Sequence, residues 1–454
     1  MSFDSIFFLA CFLPLVLGLY WLVPGNRVKN AILLVLGLVF YAFGSFSGII
    51  LLLLSAVINY IFGLLIRSKK AQKPVLIIGI VSNLAFLFAY KYWDFILSDI
   101  LMQPQLTLGL TAPIGISFFT FKSISYLVDC SKKPEENSSG FWDFLLYLSF
   151  FPQIMAGPIT RFDHFSAQLA LRSKDSAQIA QGARRFILGL AKKVILCAPL
   201  GVVVDKVYGL TGSVLDIRLG WLAAICYMLQ IYFDFSGYSD MAIGMGTMLG
   251  FDTPENFNYP YIAASIGDFW RRWHISLSTW FKDYLYIPLG GNRKGTVRAG
   301  LNKAIVFTLC GLWHGCGWTY LLWGLWHGLF SSLESIGAIK PKKLPPVVAH
   351  CYTLLVVCLG FVMFRAGTVQ EGFAILGTMF TGFHFTMEAT IVLHQLINAK
   401  TVVIAILGCI LATPVAKKIK CPEPFTYFAS LLLYCICLAS LASGGFTPFI
   451  YFQF

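Results

Sequence analysis

"GLWHGCGWTYLLWGLWHG", residues 311–328, carries two Trp-His-Gly triplets inside a stretch that is otherwise almost entirely apolar. A histidine in such surroundings is expensive and marks a functional site by default. The bulk composition fixes the solvent. Of 454 residues, 57% are hydrophobic and 12% charged, against about 25% charged in soluble domains. Such a chain cannot cover itself with a wettable surface, so it is expected to be an all-α integral membrane protein. The formal net charge of +13 is assigned to cytoplasmic loops and anionic lipid rather than to nucleic acid. The 12 cysteines form no C-x-x-C pair and read as small apolar fillers, with no disulfide or metal site expected.

Outward from the triplets, the chain changes character. Residues 1–100 and 345–445 hold clean apolar spans with basic ends. "SIFFLACFLPLVLGLYWLVP" is a first transmembrane helix rather than a cleaved signal, because it lacks a basic leader and is long enough to span. Between about 110 and 330 the apolar runs are broken by Pro, Gly and charge, as in "FFPQIMAGPITRFDHF" and "YFDFSGYSDMAIGMG". Irregular backbone at membrane depth is tolerated only when buried in protein or lining a wet cavity. The ends therefore predict a scaffold and the middle a cavity or tunnel, in one domain over 1–454. About ten to twelve spans of ~20 residues fit the length. Basic clusters at Arg27/Lys29, Arg67–Lys73, Lys340–Lys343 and Lys417–Lys420, taken as cytoplasmic, place both termini outside.

The segment 266–286, "IGDFWRRWHISLSTWFKDYLY", reads as an amphipathic helix. Ile266, Phe269, Trp270, Trp273, Leu277, Trp280, Phe281 and Tyr284 form one face; Arg271, His274, Ser278 and Lys282 form a second stripe at helical spacing. A solvated interfacial face is enough to explain Arg271, Arg272 and Lys282, but less so His274. The glycine-rich basic loop "GGNRKGTVR" (290–298), with Asn292 and Arg293, is suited to phosphates, though most such loops only obey the positive-inside bias. Were 311–328 one helix, His314 and His327 would lie on roughly opposite sides, so at most one faces the cavity. The Gly-Cys-Gly after His314 can break the helix and admit a substrate. A buried neutral imidazole suits a general base. His314 is the favoured base, and His327 a packing or helix-bonding residue. Trp313, Asp234, Ser236, Asp240, Arg272, Ser278, Lys282, Asn292 and Arg293 are candidates for the tunnel wall or substrate contacts. For Asp234, Asp240 and Arg161, buried hydrogen-bonded structure is at least as good a reading.

The motifs "QIYFDFSGYSDMAIGMGTMLGF", "NFNYPY", "DFWRRWHISLSTWFKDYLYIPLGGNR" and "GLWHGCGWTYLLWGLWHG" together resemble the membrane-bound O-acyltransferase (MBOAT) family. Within it they are most similar to the bacterial branch that acetylates alginate or transfers D-alanine to teichoic acid. The resemblance implies tilted and re-entrant helices around a thin core with a central tunnel. It implies that His314 is essential for acyl transfer, that His274 is the second family histidine, and that His327 has no catalytic counterpart. The chemistry it implies is acyl transfer from a cytoplasmic thioester, most simply acetyl-CoA as substrate with no bound cofactor. His314 would serve as base, with His274 orienting it or holding the oxyanion. The acyl group would end on an extracytoplasmic polysaccharide, usually through an extracellular SGNH-type partner, at a bacterial plasma (inner) membrane. D-alanyl transfer from a carrier protein is the alternative. A transporter without covalent chemistry is less favoured, because no paired interrupted helices appear in matching halves.

The sequence ends "GGFTPFIYFQF". After the Gly-Gly and Pro that stop the last helix, Phe449, Phe452 and Phe454 should be buried, since exposing each is unfavourable by roughly 1.5–3 kcal/mol. An aromatic belt at the interface is the bland reading. The F-x-Y-x-x-F pattern also resembles the C-terminal motif of a small companion peptide in D-alanyl transfer systems. That resemblance makes Tyr451 a candidate acyl relay, seated in the outer mouth of the tunnel and facing His314.

Overall fold

The computed structural model describes residues 1–68, 71–172, 175–210, 214–418, 421–444 and 449–450. Among them every regular element is helical, as the composition requires. Seven helices are long and apolar enough to cross a membrane: Asn26–Gly44, Phe46–Arg67, Gln72–Lys91, Ser176–Tyr208, Ile217–Met248, Pro346–Arg365 and Glu423–Ala442. The pair Met387–Leu396 and Ala399–Leu411, bent by 65° at a short break, makes an eighth if it is one span. The ten to twelve crossings expected from sequence are approached only by adding elements that fail this test. These are the short Phe8–Leu22 and the 19-residue helices Thr296–His314 and Trp318–Ile336. The latter two carry polar groups, and that is what lowers their apolarity.

The chain divides into two compact units, Met1–Ile187 with Tyr238–Glu255, and Leu188–Gly237 with Asn256–Phe454. In the first, the helices are inside-out relative to a soluble protein. On Phe46–Arg67 the buried positions are Gly48, Leu52, Ser55, Ala56, Asn59, Gly63 and Ile66, mostly small or polar. Ile50, Leu54, Val57, Ile58 and Ile61 are exposed, as suits a lipid surround. Lipid gives no hydrophobic drive to helix association, so small residues and polar pairs do the joining. The Asn59 and Asn83 amides exchange hydrogen bonds of 3.1 and 2.6 Å between neighbouring helices.

The broken segment at 151–160 is buried along its whole length. The fully buried Lys122 ammonium donates to Tyr147 O (3.0 Å) and Gln153 Oε1 (3.3 Å), and Thr160 Oγ1 donates to the same Gln153 oxygen at 2.8 Å. The irregular backbone thus sits in protein, as its Pro and Gly content required.

The Asn59–Asn83 pair generates a test. Asn59→Leu strands the Asn83 amide, and the loss is expected near 1 kcal/mol, read as a lowered unfolding midpoint in detergent. Asn83→Leu should behave alike, and the double variant should be no worse than either single. Additive losses would show that the two amides do not act as a pair.

Candidate active site

The two triplets do not share a helix. The helix Thr296–His314 ends at His314, residues 315–317 are extended, and a second helix runs Trp318–Ile336. The two pack as a hairpin through glycine. A Cβ on Gly311 would collide with Tyr320 O, and one on Gly324 would lie 2.5 Å from Phe307 O, so only glycine permits this approach. Ser332 Oγ fastens the far end by donating to Gly300 O at 2.7 Å. The Gly-Cys-Gly break thus turns the chain back on itself and leaves His314 at the end of its helix.

His314 is buried among the rings of Trp313 (4.9 Å between centroids), Trp323 (5.1 Å) and Phe364 (5.4 Å). It lines a cavity of about 410 Å³. His327 does not line it. Its ring is fully buried, 5.0 Å from Trp270 and 5.1 Å from Trp323, and Gly360 leaves room for it. That is a packing position. Neither ring nitrogen finds a hydrogen-bond partner among the described residues.

The segment 266–286 is not one helix. It comprises Ile266–Arg272, Ile275–Phe281 and a wider turn, Lys282–Tyr286, with His274 between the first two in the left-handed region at φ 44°. A non-glycine residue there is strained, and such strain persists only when surroundings over-determine it. Here Asn256 does so. Its Oδ1 accepts from Ser276 N (3.2 Å) and Ser276 Oγ (2.9 Å) and lies 3.1 Å from His274 Nδ1. Backbone N–H can only donate, so this atom is the amide oxygen and Nδ1 carries the proton. Burial pushes the His274 pKa below the usual imidazole range, so the ring is neutral. Nε2 then holds a free lone pair, and no donor among the described residues meets it.

Despite the break, the polar stripe survives: Arg271, His274, Ser278 and Lys282 all line the same cavity as His314, joined by Lys303 and Cys310. The other candidates sort differently. Trp313 lies between the two histidines, its ring 6.3 Å from His274 and 4.9 Å from His314. Arg272 is not in the lining. It pairs with Asp268 at 2.9 Å, and Arg271 takes the place expected for it. Asn292 and Arg293 are exposed on a loop pinned by Asn302, whose amide donates to Gly291 O at 2.8 Å. Asp240 is a helix-pinning residue of the first unit, paired at 2.9 Å with Arg185, which also binds Glu255. Arg161 precedes the short helix Phe162–Ala167 in that unit. Ser236 is buried, and Asp234 forms a buried pair with Lys193 at 2.6 Å; neither lines the cavity. Tyr451 lies outside the described residues. Asn256, the first residue of "NFNYPY", fixes His274, and the seventeen intervening residues hide the pairing in the sequence.

A cavity lined by two buried imidazoles, one of fixed tautomer, offers a base to a nucleophile. Among the described residues no group of three His, Cys, Asp or Glu is placed to hold a metal. The profile of the MBOAT, membrane-bound O-acyltransferase family, matches residues 38–337. The chain belongs to that family. It is a multi-pass membrane O-acyltransferase. It is 37% identical to the probable alginate O-acetylase AlgI of Pseudomonas putida over the full length of both chains. It is 36% identical to the peptidoglycan O-acetyltransferase of Helicobacter pylori, covering 83% of this chain and 79% of that one. It is 28% identical to the teichoic acid D-alanyltransferase of Bacillus subtilis, covering 67% and 81%.

If Asn256 fixes the His274 tautomer, Asn256→Ala should lower the rate of acyl transfer by roughly a hundredfold, the scale set by misplacing a reacting group. His274→Ala should lose more, and the double variant no more than His274→Ala. These are measured as single-turnover rates in detergent. An Asn256→Ala enzyme at wild-type rate would detach the amide from catalysis.

Proposed function

We propose that the enzyme carries acetyl groups from cytoplasmic acetyl-CoA across the bacterial inner membrane for O-acetylation of an extracytoplasmic polysaccharide. The observation that carries the chemistry is the sharing of one buried cavity by His274 and His314. His314 takes the proton of the attacking hydroxyl as the new C–O bond forms. The C–S bond then breaks, and the proton returns from the imidazolium to the leaving thiolate, giving the free thiol. His274 Nε2, an acceptor in its fixed tautomer, can share the proton-accepting role; it holds an oxyanion only when protonated. Arg271, Lys282 and Lys303 bring three cations to the cavity, complementary to the phosphates of coenzyme A.

Two of the relatives are named for O-acetylation, at 37% and 36% identity, and the D-alanyl relative stands at 28%. This favours acetyl over D-alanine. Alginate and peptidoglycan in those names favour a polysaccharide acceptor, reached through an extracellular SGNH-type partner. The basic clusters put both termini outside. Tyr451 is the proposed relay: its hydroxyl accepts the acetyl group as an ester and passes it to the partner. Phe449, two residues before it, is buried, as the apolarity of the segment required. Phe452 and Phe454 lie outside the described residues.

His314→Ala should abolish acetyl transfer in a folded, membrane-inserted protein. Tyr451→Phe should lose transfer to polymer as severely. Acetyl-Tyr451 should be found by mass spectrometry of the wild type when the partner is absent. Near-normal polymer acetylation by Tyr451→Phe would remove the relay and leave the donor half intact.

The cation arrangement makes a separate prediction. Lys282→Ala and Arg271→Ala should each raise the KM for acetyl-CoA by roughly tenfold, the scale of one charge-assisted hydrogen bond, with kcat little changed. Equal KM values for acetyl-CoA and for a truncated acetyl-pantetheine in wild type and variants would show that these cations do not meet phosphate.

A further inference from the structure

Lys193 and Asp234 form an ion pair at 2.6 Å with side chains 2% and 1% exposed. Both lie on helices apolar enough to cross the membrane. The helices approach closely there, since a Cβ on Gly237 would come within 2.7 Å of Gly189 O. Lys193 sits in a widened turn, Lys192–Cys197, of the kind found at functional sites. A pair buried this deeply is a net burden unless its remaining valences are satisfied. The Oδ1 atom of Asp234 accepts from Lys193 Nζ and faces Cys197 Sγ at 3.6 Å. The other oxygen, Oδ2, accepts from a residue 216 positions away: the main-chain N–H of Ile450, at 2.8 Å.

The neighbouring side chain completes the seat. Phe449 is buried, with Lys193 Nζ 5.6 Å from its ring centre and the Phe235 ring 6.0 Å away. Phe235 in turn meets the His274 ring edge-on at 4.6 Å. The residue after Asp234 therefore touches both the tail and the cavity histidine.

We propose that Asp234, braced by Lys193, is a docking latch for the chain's own C-terminal segment. It binds the Ile450 amide through its free carboxylate oxygen and holds Phe449 against Phe235, beside the His274 wall. Asp234 is a positioning residue rather than a catalytic one. Because the contact is made by main chain, it depends on the N–H at 450, which every residue but proline supplies. The consequence for acyl transfer rests on the Tyr451 reading above; the docking itself does not.

Ile450→Pro removes the donor and leaves the ion pair untouched, whereas Ile450→Val keeps the donor. The measurement is hydrogen exchange by mass spectrometry on the full-length protein in detergent, following the C-terminal peptide that contains Phe449 and residue 450. Ile450→Val should exchange like wild type. Ile450→Pro should exchange there roughly tenfold faster or more, the scale of a hydrogen bond to a charged group. A peptide from 296–314 should be unchanged. Asp234→Ala should release the tail likewise, and adding Ile450→Pro to it should release it no further. If Asp234→Ala fails to fold, Ile450→Pro decides alone. Wild-type protection of the tail in Ile450→Pro overturns the latch. As a positioning change, Ile450→Pro should also slow transfer to polymer by roughly tenfold with the KM for acetyl-CoA unchanged. Tyr451→Phe should keep the tail protected. An active Tyr451→Phe with a released Ile450→Pro tail would sink the relay and leave the latch standing.

Discussion

A polar atom in hydrocarbon can bond only to protein, and this constraint orders the whole structure. It turns the scaffold helices inside-out, with Asn59 and Asn83 facing each other and large aliphatic side chains outside. It ties the irregular stretch around Gln153 to Lys122 and Thr160. It joins Lys193 to Asp234 and then asks for a donor to the second carboxylate oxygen. Against that background the unbonded atoms stand out. His274 Nε2 is buried with no partner among the described residues, on a residue that lines the cavity. His327 also has none among the described residues, yet it does not line that cavity. Its T-shaped contacts with Trp270 and Trp323 offer aromatic faces, which are weak acceptors for N–H. The same chemical group thus has two roles, set by what lies beside it.

Glycine supplies the closeness that the site needs. Gly311 and Gly324 bring the hairpin backbones together, which carries Trp323 to the His314 ring on one side and to His327 on the other. A side chain on Gly315 would collide with the Tyr320 ring, so the break after His314 is confined to a small residue. Backbone proximity thus helps to place this histidine. The other histidine is placed oppositely, by an unfavourable backbone conformation that Asn256 holds through its bonds to Ser276.

Much of this was legible in the residues. Scarcity of charge gave the solvent, and Pro and Gly in the middle third marked backbone that must be buried. The helical spacing of Arg271, His274, Ser278 and Lys282 brought out a shared wall, even though the helix breaks between them. The break itself was hidden, because the left-handed turn falls on a histidine and not on a glycine. Arg271 and Arg272 are adjacent, and spacing could not say which would turn to the cavity; Asp268 bonds both, at 3.1 and 2.9 Å, and of the two only Arg271 lines the cavity. Asp234 and Asp240 sit in one motif and read alike, yet they belong to different networks, because six residues on a helix separate them by more than a turn and each meets a different cation. Pairings at long sequence separation, such as Asn256 with His274 or Asp234 with Ile450, leave no local pattern to read.

The cavity that His274 and His314 share is of small-molecule size. About 410 Å³ is near the low end of the range for small-molecule sites, roughly 300–1,000 Å³. On the proposed reading it receives a thioester arm and one attacking side chain, and a polysaccharide strand stays outside. Its cations, Arg271, Lys282 and Lys303, suit an anionic donor and offer nothing distinctive to a sugar chain. A polymer acceptor would therefore have to be served indirectly, by a nucleophile small enough to enter. The one segment seen to reach the His274 wall by another path is Phe449–Ile450, through Phe235. On the proposed reading, donor and tail converge on the same imidazole by separate routes, the arrangement that transfer across a barrier requires if neither substrate is to cross it whole.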